Sequence, residues 1–354
     1  MNATETLNQS NTTSGMILEV KNLKKYYPVS AGFLQKYRKR PKSNNAGKYV
    51  RAVDDVSFSI GESEIFSLVG ESGCGKTTTA KMIVGLIRPT SGQIGFLGKD
   101  ISSLRGRALK DVRRNLQIVF QDPYSALDPR MTVGQVVSEP MISFGFSKQE
   151  RKARILELLN EVGLRPEHAG RYPSEFSGGQ RQRIGIARAL ALSPKLIVCD
   201  EPVSALDVSV RAQILNILVD LREEKGISFL VIAHDLSVVR HIADRVGVMH
   251  LGKIVEMSDN AGFFENTLHP YSRALLDAIP IPDPSVARTR MVISGELPDP
   301  INPPSGCRFH TRCPKRFEPC DKIEPELIEY SKNQFVACHL WKKPEIDQIA
   351  RKST

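Results

Sequence analysis

Short runs of consecutive apolar residues alternate along this chain with longer segments in which apolar residues recur every three or four positions. The apolar runs are EIFSLVG (64–70), LQIVFQ (116–121), KLIVCDEP (195–202) and ISFLVIAHD (227–235). Continuous apolar strands are typical of parallel sheets that are covered on both faces. The pattern therefore predicts an α/β fold built on a parallel sheet.

The segments between and after these runs have the spacing of amphipathic helices or of a hairpin. KTTTAKMIVGLI (76–87) follows the first strand at helical spacing. In segment 210–226 the apolar residues form one stripe, made of Val210, Ile214, Ile217, Leu218 and Leu221. Gly226 is suited to the C-cap of this helix. VGVMHLGKIVEM (246–257) is predicted to be a hairpin that turns at Leu251–Gly252.

Composition divides the chain into three parts. Residues 1–16 are polar and are predicted to be a disordered tail, not a secretory signal, because they lack a hydrophobic core. Residues 17–265 are predicted to form one large domain with a basic, solvated insertion at 28–50, which has six Lys or Arg residues and no acid. Residues 266–354 are Pro-rich, contain four of the six cysteines and are predicted to form a small C-terminal module.

The chain has an ordinary composition for a folded domain, with 354 residues, of which 41% are hydrophobic and 25% charged. No apolar run is long enough to span a bilayer, which needs about 18 residues or more. Lys and Arg exceed Asp and Glu by 49 − 39 = 10. This excess favours an anionic partner, such as a nucleotide, a nucleic acid or a membrane surface, without choosing among them.

A glycine-rich stretch, GESGCGKTT, lies between the first predicted strand and the first helix. Gly70, Gly75, Lys76 and Thr77 fit the pattern of a phosphate-binding loop, and the strand and helix beside it favour this over a flexible turn. The loop N–H groups would wrap the phosphates of ATP, Lys76 would contact the terminal ones, and Thr77 would bind Mg²⁺. The predicted nucleotide contacts are Gly70, Ser72, Gly73, Cys74, Gly75, Lys76, Thr77 and Thr78.

Polar residues follow three other strands at the edge of the sheet where ligands bind in open α/β folds. We expect Asp200 to hold Mg²⁺ through water and Glu201 to polarise the water that attacks the γ-phosphate. Gln121 could contact both the metal and this water, and His234 could sense the γ-phosphate. Each residue alone could equally be an ordinary polar residue that starts a loop. Downstream of a phosphate-binding loop, they are predicted to be catalytic.

A second glycine-rich stretch, FSGGQRQRIGIARAL (176–190), begins a helix whose unpaired N–H groups can bind an anion. The order of GESGCGKTT, Gln121, FSGGQRQ, VCDE, SALD (204–207) and His234 resembles the ATPase subunits of ABC transporters. The resemblance covers residues 17–257. One departure is Phe176, where the family usually has leucine before SGG.

This resemblance implies a P-loop NTPase core with an antiparallel β subdomain and a helical subdomain at about 122–190. It also implies that two subunits pair head to tail, so that each ATP lies between one phosphate-binding loop and the SGG segment of the other subunit. The predicted contacts to the partner's nucleotide are Ser177, Gly178, Gly179 and Gln180. Asp207 would reach across the interface between the two subunits. Tyr27, rather than Tyr26, would stack on the adenine ring.

The C-terminal cysteines have the spacing C-x5-C-x6-C-x17-C, formed by Cys307, Cys313, Cys320 and Cys338. In an intracellular chain four close thiols argue against disulfides, and no pair has the tight spacing usual for zinc. Four thiols suit a [4Fe–4S] cluster, although His310 and His339 leave a zinc site open. LHPYSRALLDAIP (268–280) and residues 294–313 resemble the C-terminal extension of dipeptide and oligopeptide importer ATPases, some of which carry such a cluster.

The resemblance thus implies an ATPase subunit of a peptide importer, peripheral on the cytoplasmic face of the inner membrane. Its implied partners are a paralogous ATPase, two transmembrane permease subunits and, indirectly, an extracytoplasmic binding protein. The cargo stays open among dipeptides, oligopeptides, nickel complexes and sugars. The alternative is a soluble ABC-type ATPase that acts on nucleic acid or ribosomes. The chain has one set of ATPase motifs, whereas translation-linked relatives usually carry two, and it lacks the long heptad insertion of chromosome-handling relatives. No nucleic-acid partner is therefore expected.

Overall fold

A largely parallel sheet forms the core of the protein. The computed structural model describes residues 15–29, 49–204, 206–279, 295 and 298–341. Residues 1–14 of the predicted tail (1–16) and residues 30–48 of the basic insertion lie outside the described residues, whereas Met16 already belongs to the first strand. The main sheet has the strand order β11-β12-β10-β9-β3-β8-β7-β6. Its strands are β3 (Ile65–Val69), β6 (Leu116–Val119), β7 (Leu196–Asp200), β8 (Ser228–Ala233), β9 (Arg245–His250), β10 (Lys253–Asp259), β11 (Ile328–Ser331) and β12 (Gln334–Val336).

The five strands from β9 to β6 in this order pair in parallel, and every residue of β3, β7 and β8 is buried. The continuous apolar runs were therefore a correct signal for strands that are covered on both faces. The predicted α/β class is confirmed.

A second, antiparallel sheet has the order β2-β1-β4-β5. Its strands are β1 (Met16–Pro28), β2 (Tyr49–Gly61), β4 (Ser91–Phe96) and β5 (Lys99–Asp100). It packs on the main sheet through a shared apolar core, in which the Phe58 and Phe66 rings stack with centroids 5.0 Å apart. The antiparallel β subdomain implied by the resemblance is thus present.

Ten helices are formed by the described residues. They are α1 (Lys76–Ile83), α2 (Gly106–Asn115), α3 (Pro123–Ala126), α4 (Val133–Ser143), α5 (Lys148–Glu161), α6 (Gly178–Leu190), α7 (Val208–Lys225), α8 (Leu236–Ile242), α9 (Asn260–Glu265) and α10 (Pro270–Asp277). Helices α4 and α5 begin with capping boxes, Thr132 with Gln135 and Ser147 with Glu150. Among the described residues, no helix is both long and apolar enough to cross a bilayer.

Helix α7 and the β9–β10 hairpin follow the sequence pattern closely. Helix α7 buries Ile214, Ile217, Leu218 and Leu221 and ends at Gly226, which has a φ of 64°. The hairpin turns through Leu251 and Gly252, both with positive φ. The predicted C-cap and turn are confirmed, and the stripe is confirmed except at its start, where Val210 is only half-buried.

The C-terminal extension, residues 266–354, contributes to the main sheet instead of only following it. Strand β12 pairs with β10, with Glu256 opposite Val336, and β11 pairs with β12. The extension therefore continues the sheet beside the β9–β10 hairpin. The boundary at 265/266 and the other predicted domain limits stay predictions.

Candidate functional site

The phosphate-binding loop, residues 70–75, connects β3 to α1 and depends on glycine at both ends. Gly70 has a φ of 150°, and a Cβ there would lie 2.1 Å from the Met249 carbonyl oxygen. Gly75 has a φ of 111°, and a Cβ there would lie 2.2 Å from the Ala52 carbonyl oxygen. Only glycine fits these positions, because both the left-handed backbone and the close approach exclude a side chain. Between them, Ser72 and Gly73 are exposed.

Lys76, the first residue of α1, is folded back onto the loop. Its Nζ donates to the Gly70 carbonyl over 2.7 Å and to the Glu71 carbonyl over 3.0 Å. Cys74 is buried beside it, and burial raises the pKa of the Cys74 thiol. Cys74 therefore packs as a small apolar residue, and Lys76 is the cationic group beside the loop.

Two of the three predicted magnesium ligands, Thr77 and Asp200, meet in the structure, whereas the third, Gln121, donates a hydrogen bond to Glu201. Thr77 Oγ1 donates to Asp200 Oδ1 over 2.9 Å, and Asp200 is only 3% exposed at the end of β7. Burial raises the pKa of Asp200, the neighbouring Glu201 carboxylate adds to this, and the Thr77 hydrogen bond opposes it. A hydroxyl beside a buried carboxylate is a suitable donor set for Mg²⁺, and a bound cation would stabilise the ionised carboxylate.

Glu201 lies at the centre of the predicted catalytic residues. Gln121 Nε2 donates to Glu201 Oε2 over 2.8 Å, and His234 Nδ1 lies 3.2 Å from the same oxygen. Glu201 has a φ of 48°, a left-handed conformation that is uncommon for a residue with a side chain. Such backbone conformations occur often at functional sites. Three strand ends thus converge on one carboxylate.

The second glycine-rich segment forms the start of α6. Ser177 is its exposed N-cap, and a capping box joins Gln180 N to Ser177 Oγ over 3.4 Å and Ser177 N to Gln180 Oε1 over 3.1 Å. A Cβ at Gly179 would lie 2.2 Å from Val210 Cγ1, whereas one at Gly178 would lie 3.4 Å from Leu206 Cδ2. Gly179 is therefore required for the packing of α6 on α7, a role that the anion-site interpretation did not include.

Asp207 is the exposed N-cap residue of α7, next to Val208, which is 81% exposed. The two tyrosines of β1 have different environments. The Tyr26 hydroxyl donates to the Asp54 carboxylate, and burial together with this bond raises the pKa of Tyr26 to about 12. The Tyr27 ring lies 5.0 Å from the Lys25 ammonium and is half-buried. The Tyr26 hydroxyl is thus already hydrogen-bonded within the chain, which favours Tyr27 as the residue that stacks on adenine.

The four cysteines of the extension do not form a prepared metal site. Burial, followed by neighbouring thiols, raises the pKa of Cys307 to about 11 and that of Cys338 to about 12. Cys313 and Cys320 contribute to these shifts, so the thiols lie near one another. Yet no group of three or more His, Cys, Asp or Glu side chains in the described part of the chain is arranged to hold a metal ion.

The histidines that left zinc open also have other contacts. His310 Nδ1 lies 2.8 Å from the Cys307 carbonyl oxygen, and His339 Nε2 lies 2.8 Å from that of Ile323. Neither the predicted [4Fe–4S] cluster nor the zinc alternative is supported by this arrangement, because the described side chains include no group of three or more ligands placed to hold a metal ion. No step below depends on such a group.

Sequence reasoning missed a set of contacts between the extension and the phosphate-binding loop. Arg312 donates two hydrogen bonds to the Glu71 carboxylate, over 2.8 and 2.9 Å. Tyr271 Oη accepts a hydrogen bond from Glu71 N over 2.8 Å. No motif marks these residues, and 241 positions separate the arginine from the glutamate, so no local pattern could have paired them.

Comparisons with known proteins identify the family of this chain. A family model described as "ABC transporter" matches residues 53–204, and one described as "Oligopeptide/dipeptide transporter, C-terminal region" matches residues 255–320. The oligopeptide transport ATP-binding protein AppF of Bacillus subtilis is 51% identical over 92% of this chain and 97% of its own length. The chain belongs to the ATP-binding subunits of ABC transporters.

Further relatives of this ABC subunit extend the agreement. The dipeptide transport ATP-binding protein DppF of Escherichia coli is 46% identical over 93% of this chain and 96% of DppF. A dimeric structure of the ATP-binding cassette MJ0796 in a post-hydrolysis state, bound to ADP and phosphate, is 31% identical with a TM-score of 0.59, covering 69% of this chain and 99% of that one. The cbiO1 subunit of the Clostridium perfringens complex cbiONQ is 27% identical with a TM-score of 0.60, covering 71% of this chain and 92% of cbiO1.

These findings confirm the ABC cassette form of the P-loop NTPase fold and an ATPase that drives transport. ATP and Mg²⁺ are the expected substrate and metal, and pairing with a second cassette and with permease subunits is expected of the family. The alternative function on nucleic acid or ribosomes has no support among them.

Proposed function

We propose that this ABC subunit powers the uptake of dipeptides or oligopeptides, and that residues 70–78, 121, 200, 201 and 234 form its half of the ATP site. The observation that carries the cargo class is the match of residues 255–320 to the oligopeptide/dipeptide transporter C-terminal family. AppF and DppF are named for oligopeptide and dipeptide transport, and both align over nearly all of this chain.

Nucleotide binding begins with the release of Lys76 from the loop carbonyls. Its ammonium is held by Gly70 and Glu71 over 2.7 and 3.0 Å and would exchange these oxygens for the β- and γ-phosphates of ATP. The Thr77 hydroxyl and the Asp200 carboxylate would hold Mg²⁺, which neutralises charge on the phosphates during their transfer.

Hydrolysis then depends on the Glu201 carboxylate. Gln121 and His234 contact the same oxygen of this carboxylate, which leaves the other oxygen for the attacking water. His234 is 53% exposed on its side chain, so it can also reach toward the γ-phosphate. Glu201 would accept the proton of the water as it attacks, Gln121 would orient the carboxylate, and His234 would respond to the γ-phosphate.

The second half of each ATP site would come from a partner subunit. Ser177 and Asp207 are exposed, and Ser177 caps α6, whose N-terminal N–H groups suit a phosphate. Contacts to the γ-phosphate would favour the closed pair before hydrolysis and be lost after it. We infer a heterodimer with a paralogous ATPase, docked on two permease subunits at the cytoplasmic face of the inner membrane and supplied by an extracytoplasmic binding protein.

Peptide uptake in a deletion strain tests this function. Uptake of a radiolabelled tripeptide should be lost on deletion, return with the wild-type gene and stay absent with Glu201→Gln. Glu223→Gln is a matched control, because this exposed glutamate pairs only with the adjacent Arg222 among the described residues, and it should restore uptake fully. Normal uptake in the deletion strain, or recovery with Glu201→Gln, would contradict the proposal.

We also propose that the four cysteines can take up a [4Fe–4S] cluster, or Zn²⁺, if they move closer together than in this structure. Supporting this is the mutual influence of the thiols on one another's pKa. Anaerobically purified protein would contain about four irons and four sulfides per chain in the first case and zinc in the second. Protein with neither metal would refute both.

A further inference from the structure

Glu71 is an acidic residue within a loop that must bind the strongly anionic phosphates of ATP. An unpaired carboxylate in that position would repel the nucleotide, since like charges at close range oppose each other more strongly where water is partly excluded. The structure shows how this charge is balanced. Arg312 of the C-terminal extension binds the carboxylate in a bidentate arrangement, with N–O distances of 2.8 and 2.9 Å.

This ion pair is shielded from solvent. The Arg312 side chain is 8% exposed and that of Glu71 is 24% exposed. The buried Nε of the guanidinium has no hydrogen-bond partner in the described part of the chain. Arg312 is therefore held by Glu71, and loss of either charge would leave the other partly buried and uncompensated.

The backbone of Glu71 is held as well. Its N–H donates to Tyr271 Oη over 2.8 Å, so this loop donor faces the extension. Tyr271 is fully buried in α10, with its ring 4.4 Å from that of His250 and 5.3 Å from that of Phe309. The Glu71 carbonyl accepts from Lys76 over 3.0 Å. The N–H, the carbonyl and the carboxylate of one loop residue are thus all engaged.

A second arginine of the extension supports the other end of the loop. Arg308 is buried and donates to the Leu251 carbonyl and to the Asp54 carboxylate. The next residue in the hairpin turn, Gly252, donates its N–H to the Cys74 carbonyl over 2.8 Å. Two arginines four positions apart therefore reach both ends of the phosphate-binding loop, one directly and one through the hairpin turn.

We propose that the C-terminal extension braces the phosphate-binding loop for nucleotide, and that Arg312 is a positioning residue which holds and neutralises Glu71. The inference rests on the proposed role of residues 70–78 in ATP binding. It makes nucleotide affinity depend on a segment that lies 200 or more positions away and outside the ATPase motifs. Arg312 does not act on the hydrolytic step, because Glu201 and His234 are not among its contacts in the described residues.

The test separates ATP affinity from turnover in the full-length chain. Arg312→Gln should raise the Kd for a fluorescent ATP analogue, and the KM for ATP, about tenfold, the size expected for a lost charge-assisted hydrogen bond. The kcat should stay within about twofold. Arg316→Gln is the matched control, because this arginine lies four residues further in the same segment and pairs with Asp321 at the surface. It should leave Kd, KM and kcat unchanged.

A double variant distinguishes charge balance from simple loss of structure. Glu71→Gln in the Arg312→Gln background removes the unpaired carboxylate and should return the Kd to within about threefold of the wild-type value. A merely structural role would leave the double variant as weak as the single one. If the Arg312→Gln protein cannot be obtained in folded form, the Glu71→Gln variant by itself tests the proposal. It should bind ATP at least as tightly as the wild type, since glutamine keeps an oxygen that can accept from Arg312 and keeps the backbone N–H bond to Tyr271, while it removes a negative charge from the loop.

Either of two results would overturn the brace. One is an Arg312→Gln protein with wild-type Kd and KM, and the other is weaker ATP binding in Glu71→Gln. Wild-type protein that binds no ATP would instead overturn the proposed nucleotide site, so the two failures can be told apart.

Discussion

Gln121 donates a hydrogen bond to the Glu201 carboxylate over 2.8 Å, although 80 positions separate the two residues. The contact exists because β6 and β7 are parallel neighbours, so the residues after them meet at one edge of the sheet. The carboxylate is thereby oriented before any nucleotide arrives. This relationship leads to the first prediction.

Glu201→Gln should abolish turnover while ATP binding is kept. Glutamine preserves the size of the side chain but cannot accept the proton of the attacking water. We expect kcat to fall about 10²- to 10⁴-fold, the usual contribution of a general base. Because ATP persists, the variant should co-elute as a dimer with the paralogous ATPase subunit, in the presence of ATP and Mg²⁺, in size-exclusion chromatography. Glu223→Gln should hydrolyse ATP at the wild-type rate, and a turnover of Glu201→Gln near that rate would refute the assignment of the base.

Lys76→Ala should weaken nucleotide binding itself. The ammonium is the one charged group of the loop that is free to exchange carbonyl oxygens for phosphate oxygens. We expect the Kd for ATP to rise about tenfold or more, with a smaller rise for ADP, which lacks the γ-phosphate. Isothermal titration would measure both. Lys99→Ala, in the exposed strand β5, is the control, and equal losses for ATP and ADP would argue against contact with the γ-phosphate.

Most of the architecture and the site residues follow from the sequence for identifiable reasons. Strands β3, β7 and β8 are buried along their full length, so their sequences are continuous apolar runs. The predicted catalytic residues lie at or just beyond the ends of strands, and the parallel arrangement then brings Gln121, Glu201 and His234 together. Local patterns were sufficient to predict these residues, because in a parallel sheet the residues that follow neighbouring strands lie at the same edge of the sheet.

The remaining contacts have no local signal. The pairing of β12 with β10 depends on a register between segments about 80 residues apart, and nothing in FVACH or KIVEM specifies it. Arg312 and Glu71 are ordinary surface residue types in sequence, and only the folded chain makes them a buried pair. The four cysteines illustrate the opposite case, since their spacing predicted a ligand set, whereas the described residues include no group arranged to hold a metal ion.

The two glycines of the second glycine-rich segment should respond differently to alanine. In Gly179→Ala the new methyl group would overlap Val210, so the protein should be destabilised by about 1–3 kcal/mol. In Gly178→Ala the new methyl group meets Leu206 at an ordinary distance, so the melting temperature should change little. Thermal unfolding of both variants without nucleotide would measure this. Equal melting temperatures would show that α6 does not pack on α7 as described.

The same Gly178→Ala variant also tests the shared ATP site. A methyl group at this half-buried position would crowd a phosphate that approaches the start of α6 from a partner subunit. We expect reduced ATPase activity in the assembled pair with unchanged ATP binding to the single chain. Loss of ATP binding by the single chain would mean that this segment serves the chain's own nucleotide.

Tyr26 and Tyr27 should have different roles, Tyr26 in the stability of the fold and Tyr27 in ATP binding. The pH dependence of stability distinguishes the two. The pKa of Tyr26 is raised to about 12 from the ordinary 10.0, so the folded state holds the phenol proton more tightly than the unfolded chain does. This contribution to stability is fully present below pH 10 and is lost as the pH rises toward 12. Tyr26→Phe should therefore cost about 1 kcal/mol near neutral pH, for the lost bond to Asp54, and this difference should shrink between pH 10 and 12. Tyr27→Ala should instead raise the KM for ATP with little change in stability. Denaturant unfolding across pH 7–12 measures the stabilities, and ATPase assays at pH 7 measure the KM. A destabilised Tyr27→Ala with normal KM, or a raised KM in Tyr26→Phe, would contradict this assignment.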